Sequence, residues 1–509
     1  MPVDTGSGRG RRSRGTVRRT RAALLVVCTL TMSGCGLRVG SGQVKAALQA
    51  AQGQGGGGGG LGTGGGGGSG TGVEAAGGGG TSGGLAGGTA GAGGTSAGLA
   101  GTSGGAGGAG GGGGASATTL PAGGNGGATD VGVTGNTITV GNVSDLGGPV
   151  PGLFQGGPNG TQAYFNYINQ TQGGVFGRQL KLVASDDGLQ CNQNESDYQN
   201  LVNSVFAFVG SWSLDDNCGA QILSQGHTDI PLIQQALNPQ MAALPNEYSI
   251  NPFAYGGPTG TFQYFKSKYP DAISAVGTLV GNQPAAVAAW KGIRADMEAQ
   301  GYKVVYEDDF PPAQSNFTAD VVRMRSQGVK EVFLQSVNAP DAADFANEAA
   351  QQNWKPELWH CPVCYFGGYV SQSGGPGPVE GHYATVVQEL FLGEDAATVP
   401  EVALFDKWLK QAYPSFEPDQ FADTSWANAA LFVQTLKMVG PHLTRKAVLA
   451  ALAGMHHFSD NNMFPDTDVG AKTPGHCYMI LQLKGGKYTK VDDPPSGFRC
   501  DGAFFRANV

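Results

Sequence analysis

From residue 137 onward, short apolar runs alternate with longer segments in which apolar positions recur every three or four residues. A short apolar run predicts a buried strand, and the longer periodic pattern predicts an amphipathic helix. Strands separated by helical segments of this length are typical of parallel βαβ units. The pattern predicts strands at 137–143, 180–184, 205–209, 230–233, 273–279, 304–306 and 332–334, and helices at 157–169, 193–202, 217–225, 262–268, 285–300, 317–327 and 342–352.

The alternation starts a second time near Tyr255, so the chain divides into two similar units. Two cores suit a region of this length better than one, because single cores stop growing at about 250–300 residues. Two long helical patterns, 399–413 and 426–438, follow the second unit, and a β-hairpin at 478–491 closes the series. The predicted fold class is therefore α/β, with two doubly wound parallel-sheet lobes.

The stretch 205–213 connects this pattern with function. Its apolar run ends at a glycine, and Ser211, Trp212 and Ser213 follow before Asp215, a good helix N-cap. A buried strand therefore leads through a polar loop into a helix. In an open α/β sheet ligands bind at this carboxyl end, where helix N-terminal N–H groups can meet an anion. We interpret the loop as one half of a ligand-binding cleft.

The start of the chain is typical of a signal peptide. Seven arginines precede an apolar stretch, 22–32, that is too short to span a bilayer. The following Ser33-Gly34-Cys35 resembles a bacterial lipobox, in which the cysteine is lipidated and the chain is cleaved before it. We predict a lipoprotein signal peptide at 1–34 and lipidation at Cys35, which would hold the protein on the outer face of the bacterial cytoplasmic membrane. An ordinary secretory peptide with a chance cysteine is the alternative.

Composition changes sharply along the chain, because most of its 88 glycines precede residue 130. A segment of Gly, Ala, Ser and Thr cannot bury enough apolar surface to offset its ordering entropy, so 35–135 is predicted as a disordered tether. Low-complexity drift without function is the alternative. Removing 1–34, which holds seven Arg and one Asp, changes the formal charge from −8 to −14. So acidic a protein disfavours nucleic acid as a partner.

Six cysteines lie in the globular region, and an even count in an exported domain favours disulfides. Six cysteines allow fifteen connectivities. Proximity along the sequence suggests the pairs Cys191–Cys218, Cys361–Cys364 and Cys477–Cys500. The spacing of Cys361 and Cys364 also occurs in redox sites and metal-bound thiols, which stay open as alternatives. A zinc site would need two further ligands, and no spaced His/Cys set accompanies the pair.

Several short motifs follow one another in a characteristic order. They are Ile138-Thr139-Val140-Gly141, Gly148-Pro149-Val150, Gly173-Gly174, Gly177-Arg178, Asp186-Asp187 with Cys191, and Phe208-Val209-Gly210-Ser211 with Cys218. This order resembles the type I periplasmic-binding proteins, in particular the branched-chain amino-acid (leucine/isoleucine/valine) receptors of ABC transporters. The resemblance implies two lobes joined by a three-strand hinge with the ligand cleft between them, and it independently supports the pair Cys191–Cys218. It assigns 136–255 and 385–475 to the first lobe, and 256–384 and 476–509 to the second.

The resemblance also implies a set of ligand-binding residues. They are Phe154, Ser211, Trp212, Ser213, Gln234, Gln235 and Ala236 in the first lobe, Asn282, Gln283, Asn338 and Tyr365 in the second, and Trp426 near the hinge. Simpler roles stay open for them, since serines can cap the following helix, tryptophans can pack in a core, and polar residues commonly follow buried strands. Asp186-Asp187 is expected to end a strand and cap a helix rather than to bind metal.

One departure from the family concerns charge. Its amino-acid receptors commonly present an acidic residue to the ligand ammonium, but the matching loop, 361–365, contains none. Asp341 or Asp215 would have to replace it. The expected ligand is therefore a small polar molecule, namely an amino acid, an amide or an organic acid.

The predicted function is that of a monomeric, extracytoplasmic solute-binding protein that closes on its ligand and delivers it to an ABC permease. A sensor of the same fold that acts on a signalling partner is an alternative from another class. An enzyme or redox protein using Cys361 and Cys364 is a third hypothesis. The sequence contains no nucleophile elbow or Walker loop, so no catalytic residue, cofactor or metal is predicted.

Overall fold

The computed structural model describes residues 124–312, 314–491 and 497–509. The predicted signal peptide, the predicted lipidation site Cys35 and the predicted tether up to residue 123 lie outside these ranges. Within them, the helices lack the combination of length and apolar character that crossing a membrane requires.

A five-stranded parallel sheet forms the first lobe. Its strands are β1 (Thr137–Ser144), β2 (Gln179–Asp186), β3 (Ala207–Val209), β4 (Leu232–Ile233) and β5 (Glu247–Tyr248), in the spatial order β2-β1-β3-β4-β5. The connecting helices are α1 (Gly156–Gln172), α2 (Cys191–Leu201), α3 (Asp216–Ser224) and α4 (Pro239–Ala242). The strand order reverses between β1 and β3, and this switch point is where open α/β sheets bind ligands.

Seven strands form the sheet of the second lobe, which follows a short strand, β6 (Gly256–Pro258). They are β7 (Val276–Gly281), β8 (Val304–Phe310), β9 (Glu331–Phe333), β10 (Leu358–His360), β11 (Tyr383–Val386), β12 (Met479–Lys484) and β13 (Lys487–Lys490), in the order β13-β12-β11-β10-β9-β7-β8. The first five are parallel, and β12 and β13 add an antiparallel hairpin. The helices are α5 (Thr259–Lys268), α6 (Pro284–Ala299), α7 (Thr318–Ser326), α8 (Ala339–Gln351), α9 (Tyr369–Gln372) and α10 (Pro376–Val379).

Three helices return to the first lobe between β11 and β12. They are α11 (Pro400–Ala412), α12 (Gln420–Val439) and α13 (Arg445–Ala453), and the first two pack against α1. A last strand, β14 (Phe504–Arg506), pairs with β6. The chain therefore passes between the lobes after β5, after β11 and before β12. The predicted α/β class with two parallel-sheet lobes is confirmed.

The segment 124–135, which the sequence places in the tether, is bonded to the first lobe instead. The Asn125 side chain donates to the carbonyl of Phe176 at 3.1 Å. The buried Arg178 guanidinium donates to the carbonyls of Thr134 at 2.7 Å and Gly127 at 2.9 Å. Because a buried guanidinium must find acceptors, it orders a glycine-rich stretch that has little apolar surface of its own.

Three disulfides join the six cysteines of the globular region. The pairs are Cys191–Cys218, Cys361–Cys364 and Cys477–Cys500, with Cα separations of 5.5, 5.3 and 4.1 Å. All three predicted pairings are confirmed. The first bond ties the start of α2 to α3, the second closes a single turn after β10, and the third ties the chain ahead of β12 to the tail.

Sequence patterning misses two of the shortest strands and an inner strand of the second sheet. The strands β5 and β6 have only two or three residues, too few to show a period, whereas the equally short β4 lies within the predicted strand 230–233. The predicted strand 273–279 begins later, because Ala272–Ser274 forms a 3₁₀ turn. β11 and α13 are not predicted, since the flanking glycines and prolines of 366–382 and 440–441 obscure them.

Candidate functional site

A cavity of about 280 Å³ lies between the lobes, at the carboxyl ends of strands from both sheets. We name it the cleft cavity. Its principal lining residues are Leu153, Phe154, Trp212, Leu214, Leu237 and Phe421 from the first lobe, and Gln283, Phe310, Asn338, Asp341 and Val363 from the second. This is the position at which paired α/β lobes bind small molecules.

Three aromatic rings form one wall of the cleft cavity. Phe154, Trp212 and Phe421 contact one another, with ring centroids 4.8–5.7 Å apart. The indole N–H of Trp212 donates to the Ser425 hydroxyl at 2.9 Å, and that hydroxyl donates to the carbonyl of Gly210 at 3.2 Å. The tryptophan is therefore held by α12 from behind, and its ring offers a rigid apolar surface.

Two leucines, Leu214 and Leu237, lie in the loops that follow β3 and β4. The N–H of Leu214 donates to Asp145 at 2.9 Å, and the N–H of Leu237 donates to Asp216 at 2.7 Å. Burial, reinforced by a hydrogen bond with Asp187, raises the pKa of Asp145 to about 10, and burial raises the pKa of Asp216 to about 7. These backbone donors are thus occupied, and the leucine side chains line the cavity.

The second-lobe wall is built around helix N-termini. Gln283 precedes the first turn of α6, and Asn338 precedes that of α8. The side-chain oxygen of Asn338 accepts from the N–H of Asp341 at 2.8 Å, and the side-chain amide of Asn338 donates to the Asp341 carboxyl. Burial, with repulsion from Asp344, raises the pKa of Asp341 to about 7 against the effect of the Asn338 bond.

Asp341 is the single ionisable side chain among the described residues that line the cleft cavity. The remaining polar lining consists of amides and one hydroxyl, from Gln283, Gln335, Ser336, Asn338 and Gln420. No lysine, arginine or histidine of the described ranges faces the cavity. A bound anion would therefore depend on backbone N–H groups at the helix starts.

Four of the predicted ligand-binding residues, Phe154, Trp212, Gln283 and Asn338, line the cleft cavity. Asp341, one of the two candidate counter-charges, lines it as well, whereas Asp215 does not.

The polar residues after β3 and β4 lie behind the wall rather than in it. The Ser211 hydroxyl accepts from the N–H of Val143 at 3.1 Å. The Ser213 hydroxyl accepts from Asn194 and from the N–H of Asp215, both at 3.1 Å. The Gln234 amide oxygen accepts from the Tyr198 hydroxyl at 3.3 Å. Each of these side chains is buried: Ser211 is bonded to β1, and Ser213 and Gln234 are bonded to α2.

The other predicted residues lie apart from the cleft cavity. Ala236 is buried in the first-lobe core, and Asn282 is exposed. The Tyr365 hydroxyl donates to Glu394 at 3.0 Å, and the Trp426 indole donates to Glu401 at 2.8 Å inside the α1–α11–α12 packing. Gln235 lines a neighbouring cavity instead.

Sequence reasoning misses most of the apolar lining. Leu214, Leu237, Phe310, Val337 and Phe421 all stand just beyond a strand or at the first turn of a helix. The sequence signal that could have found these residues was their position relative to the end of a strand. A search for polar ligand contacts passes over leucine and phenylalanine at such positions.

Metal ligation has little support in the described part of the chain. One group of three potential ligand atoms is close enough together, from Cys191, Glu195 and Cys218. Both sulfurs are joined in a disulfide, which leaves only Glu195 as a donor.

A family model described as periplasmic binding protein matches residues 137–487. The chain belongs to the periplasmic binding protein family. It has the type I fold of that family's branched-chain amino-acid receptors. No curated protein matches the sequence.

Solved structures with this fold match this periplasmic binding protein over nearly their whole length. A fatty acid ABC transporter substrate-binding protein from Thermomonospora curvata has a TM-score of 0.60 and 19% identity over 74% of this chain and 98% of its own. A solute-binding protein from R. palustris in complex with benzoate has a TM-score of 0.59 and 19% identity over 73% and 98%. A branched-chain amino acid ABC transporter protein from Thermus thermophilus with bound valine has a TM-score of 0.59 and 17% identity over 70% and 96%.

Proposed function

We propose that this periplasmic binding protein captures a small carboxylic acid with an apolar body, aliphatic or aromatic, and delivers it to an ABC importer. The observation that carries the proposal is the lining of the cleft cavity. Aromatic and leucine side chains from the loops after the strands line it, whereas the polar residues expected there, Ser211, Ser213 and Gln234, are bonded elsewhere. The proposal narrows the expected polar ligand to the organic acids.

The apolar walls supply most of the binding free energy in this proposal. Each buried CH₂ of a ligand contributes about 0.8 kcal/mol. A chain or ring seated against Trp212, Leu214, Leu237 and Phe421 would gain several such increments. A strongly polar amino acid would gain few of them and would lose hydration on entering.

The acid group is assigned to the start of α6 in the second lobe. The N-terminal N–H groups of α6 carry partial positive charge and favour an anion, whereas the N–H of Asp341 in α8 is already bonded to Asn338. A ligand ammonium would have Asp341 as its one acidic partner in the wall, and that carboxyl is already bonded to Asn338. A carboxylate without an ammonium therefore suits the site better than a zwitterion.

Anchoring by Cys35 and export from the cytoplasm are part of the proposal and rest on the lipobox resemblance. An ABC permease as partner is supported by the solved structures of the same fold, several of which are ABC transporter substrate-binding proteins.

Thermal-shift and calorimetric titration with two groups of compounds test the ligand class. Octanoate, hexanoate, benzoate and phenylacetate are expected to bind, whereas glutamate, glutamine and glycine are not. Leu237→Ser should weaken binding of the acids roughly tenfold to a hundredfold, since burying a leucine contributes about 1.5–3 kcal/mol. Val322→Ser, at a position on α7 that is 53% exposed, is the matched control and should leave affinity unchanged. Binding of the polar amino acids in preference to the acids would refute the proposal.

A further inference from the structure

A second cavity, of about 240 Å³, adjoins the cleft cavity at the point where the chain passes between the lobes. We name it the hinge pocket. All three passages contribute to it, through 251–258, 385–387 and 475–478. It shares Phe253, Ile293, Gln335 and Pro362 with the cleft cavity, so the two spaces are adjacent. A ligand longer than the cleft cavity would extend in this direction.

The polar lining of the hinge pocket is uncharged. Thr261, Gln335, His360 and Thr385 face it together with other neutral side chains, and no Asp, Glu, Lys or Arg among the described residues does. Burial lowers the pKa of His360 to about 3, so the imidazole is neutral. Its Nε2 is 2.8 Å from the Thr385 hydroxyl.

Glu331, an ionisable group behind this wall, is also neutral near pH 7. The Glu331 carboxyl lies 4.0 Å from Nδ1 of His360, and both side chains are fully buried. Burial raises the pKa of Glu331 to about 8, so it keeps its proton. An anionic ligand group in the hinge pocket would find no positive charge among the described lining residues, and burying it would be costly.

One hydroxyl at the hinge pocket has an unused hydrogen-bonding capacity. Thr261, in the first turn of α5, is 5% exposed, and its Oγ1 has no partner among the described residues. A buried hydroxyl without a partner costs about 1–3 kcal/mol, and a ligand that reached it would recover part of that cost. Phe262 and Phe333 pack together beside it, with ring centroids 5.9 Å apart, and supply an apolar floor.

We propose that the ligand carries a second, neutral polar group, a hydroxyl or a primary amide, which occupies the hinge pocket while its acid group stays in the cleft cavity. The inference rests on the proposed function, since it takes the acid end as given. Thr261, whose Oγ1 is buried in this structure, would bond the neutral group from α5 after its side chain rotates, and the Thr385–His360 pair would bond it from the sheet. Gln335 lies at the junction, where the apolar body passes from one cavity to the other.

A homologous series of ligands tests this directly by calorimetric titration. Butanoate, hexanoate, octanoate and decanoate are each compared with the ω-hydroxy acid of the same length. Short pairs should bind equally, because the hydroxyl does not reach the hinge pocket. Above a threshold length the hydroxy acid should bind roughly threefold to tenfold tighter, as expected for one hydrogen bond.

Thr261→Val keeps the side-chain shape and removes the hydroxyl. It should abolish the gain from the ω-hydroxyl, leave the affinity for plain acids unchanged, and leave the melting temperature unchanged or slightly raised. Thr385→Val is a second variant with the same expected loss of gain. Thr435→Val is the matched control, since this buried helical threonine donates to the carbonyl of Leu431 at 2.8 Å and lines neither cavity.

The outcomes separate the two proposals. If plain acids bind and no length shows a hydroxyl gain, or if the gain survives both substitutions, the inference is overturned and the proposed function stands. If neither series binds at any length, both are overturned.

Discussion

At the scale of single residues, Asp341 decides how the cleft cavity responds to pH. Burial raises the folded-state pKa of Asp341 to about 7, above the ordinary value of 3.8 for an aspartate side chain. Between these two values the unfolded chain has lost a proton that the folded protein keeps. The contribution of Asp341 to stability is therefore present below pH 3.8 and is lost as pH rises through 7.

The same shift predicts a pH dependence of binding. Above pH 7 Asp341 is ionised and repels a carboxylate in the cavity, so octanoate should bind more tightly at pH 6 than at pH 8, with uptake of a proton. Asp341→Asn should flatten this dependence. Calorimetry in two buffers of different ionisation enthalpy measures both effects. Tighter binding at pH 8 than at pH 6 would show that the wall prefers a ligand cation.

Gly210 ends the central strand β3, and a side chain there would meet two obstacles. Its φ is +66°, and an added Cβ would lie 2.1 Å from Oγ1 of Thr161 and 3.0 Å from Cβ of Ser425. Gly173 has a similar φ of +69° with open space around it. Comparing substitutions at Gly210 and Gly173 therefore separates the energetic cost of backbone strain from the cost of crowding.

Gly173→Ala should lose about 1 kcal/mol of unfolding free energy, from the left-handed backbone alone. Gly210→Ala should lose a further 1–3 kcal/mol or so, because the packed neighbours must shift. Urea denaturation followed by circular dichroism gives both values. Equal losses in the two variants would mean that the Thr161 contact relaxes without cost.

At the scale of elements, sequence patterning predicts the helices and strands that are long enough to show a repeat and misses several short ones. The strand β1 and helix α12 show clear repeats: β1 and the end of α12 are predicted within one residue, and α12 begins six residues before its predicted start. β11 has only four residues, and its place is set by pairing with β10 and β12 rather than by its own composition. Long-range pairing of this kind leaves no local signal.

The site shows the same division between local and tertiary information. The end of β3 is predicted as a cleft wall, and Trp212 lies there. Ser211 and Ser213 lie two positions apart, and neither side chain lines the cleft cavity. Ser211 accepts a hydrogen bond from Val143 instead, and Ser213 accepts one from Asn194. Which side chain of a loop faces the ligand depends on these partners, and the partners are distant in sequence.

The turn between Cys361 and Cys364 is an element whose role can be tested separately from its stability. Pro362 and Val363 line the cleft cavity between the two buried sulfurs. The N–H of Cys361 donates to the carbonyl of Tyr383 at 2.8 Å, so the turn is fixed to β11. The disulfide therefore sets the position of two wall residues.

Replacing Cys361 and Cys364 with serine should weaken octanoate binding roughly tenfold with a small loss of stability, because the closed loop is short. Replacing Cys477 and Cys500 with serine is the matched control. It should lower unfolding free energy by about 2–5 kcal/mol and leave affinity unchanged. Calorimetry and thermal denaturation of both variants decide the matter, and equal affinities for octanoate would contradict a positioning role.

At the scale of the whole molecule, contacts join the lobes beyond the three chain passages. The N–H of Gly367, after β10, donates to the carbonyl of Pro418, before α12, at 3.0 Å. Binding energy can select such an arrangement only through groups on both walls. The cleft cavity has aromatic rings on one side and helix starts on the other, so an acid with an apolar body engages both.

Membrane attachment is predicted for the intact chain through Cys35. Cys35→Ala should move the protein from the membrane fraction to the medium, since lipidation contributes about 0.8 kcal/mol per buried CH₂. Ligand affinity of the released protein should equal that of the wild type. Fractionation followed by immunoblotting tests the first statement. A variant that stays with membranes would refute the lipobox assignment.

The bonds around Arg178 determine how a mechanical load would enter the protein. A pull applied at residue 124 is met by Arg178 and by Asp130, whose carboxylate accepts from the N–H of Arg445 at 2.7 Å. Arg178 also donates to the carbonyl of Pro441 at 3.0 Å, next to α13. All these partners belong to the first lobe. Tension on the N-terminal side would therefore be borne by one lobe, leaving the second free to open and close without working against it.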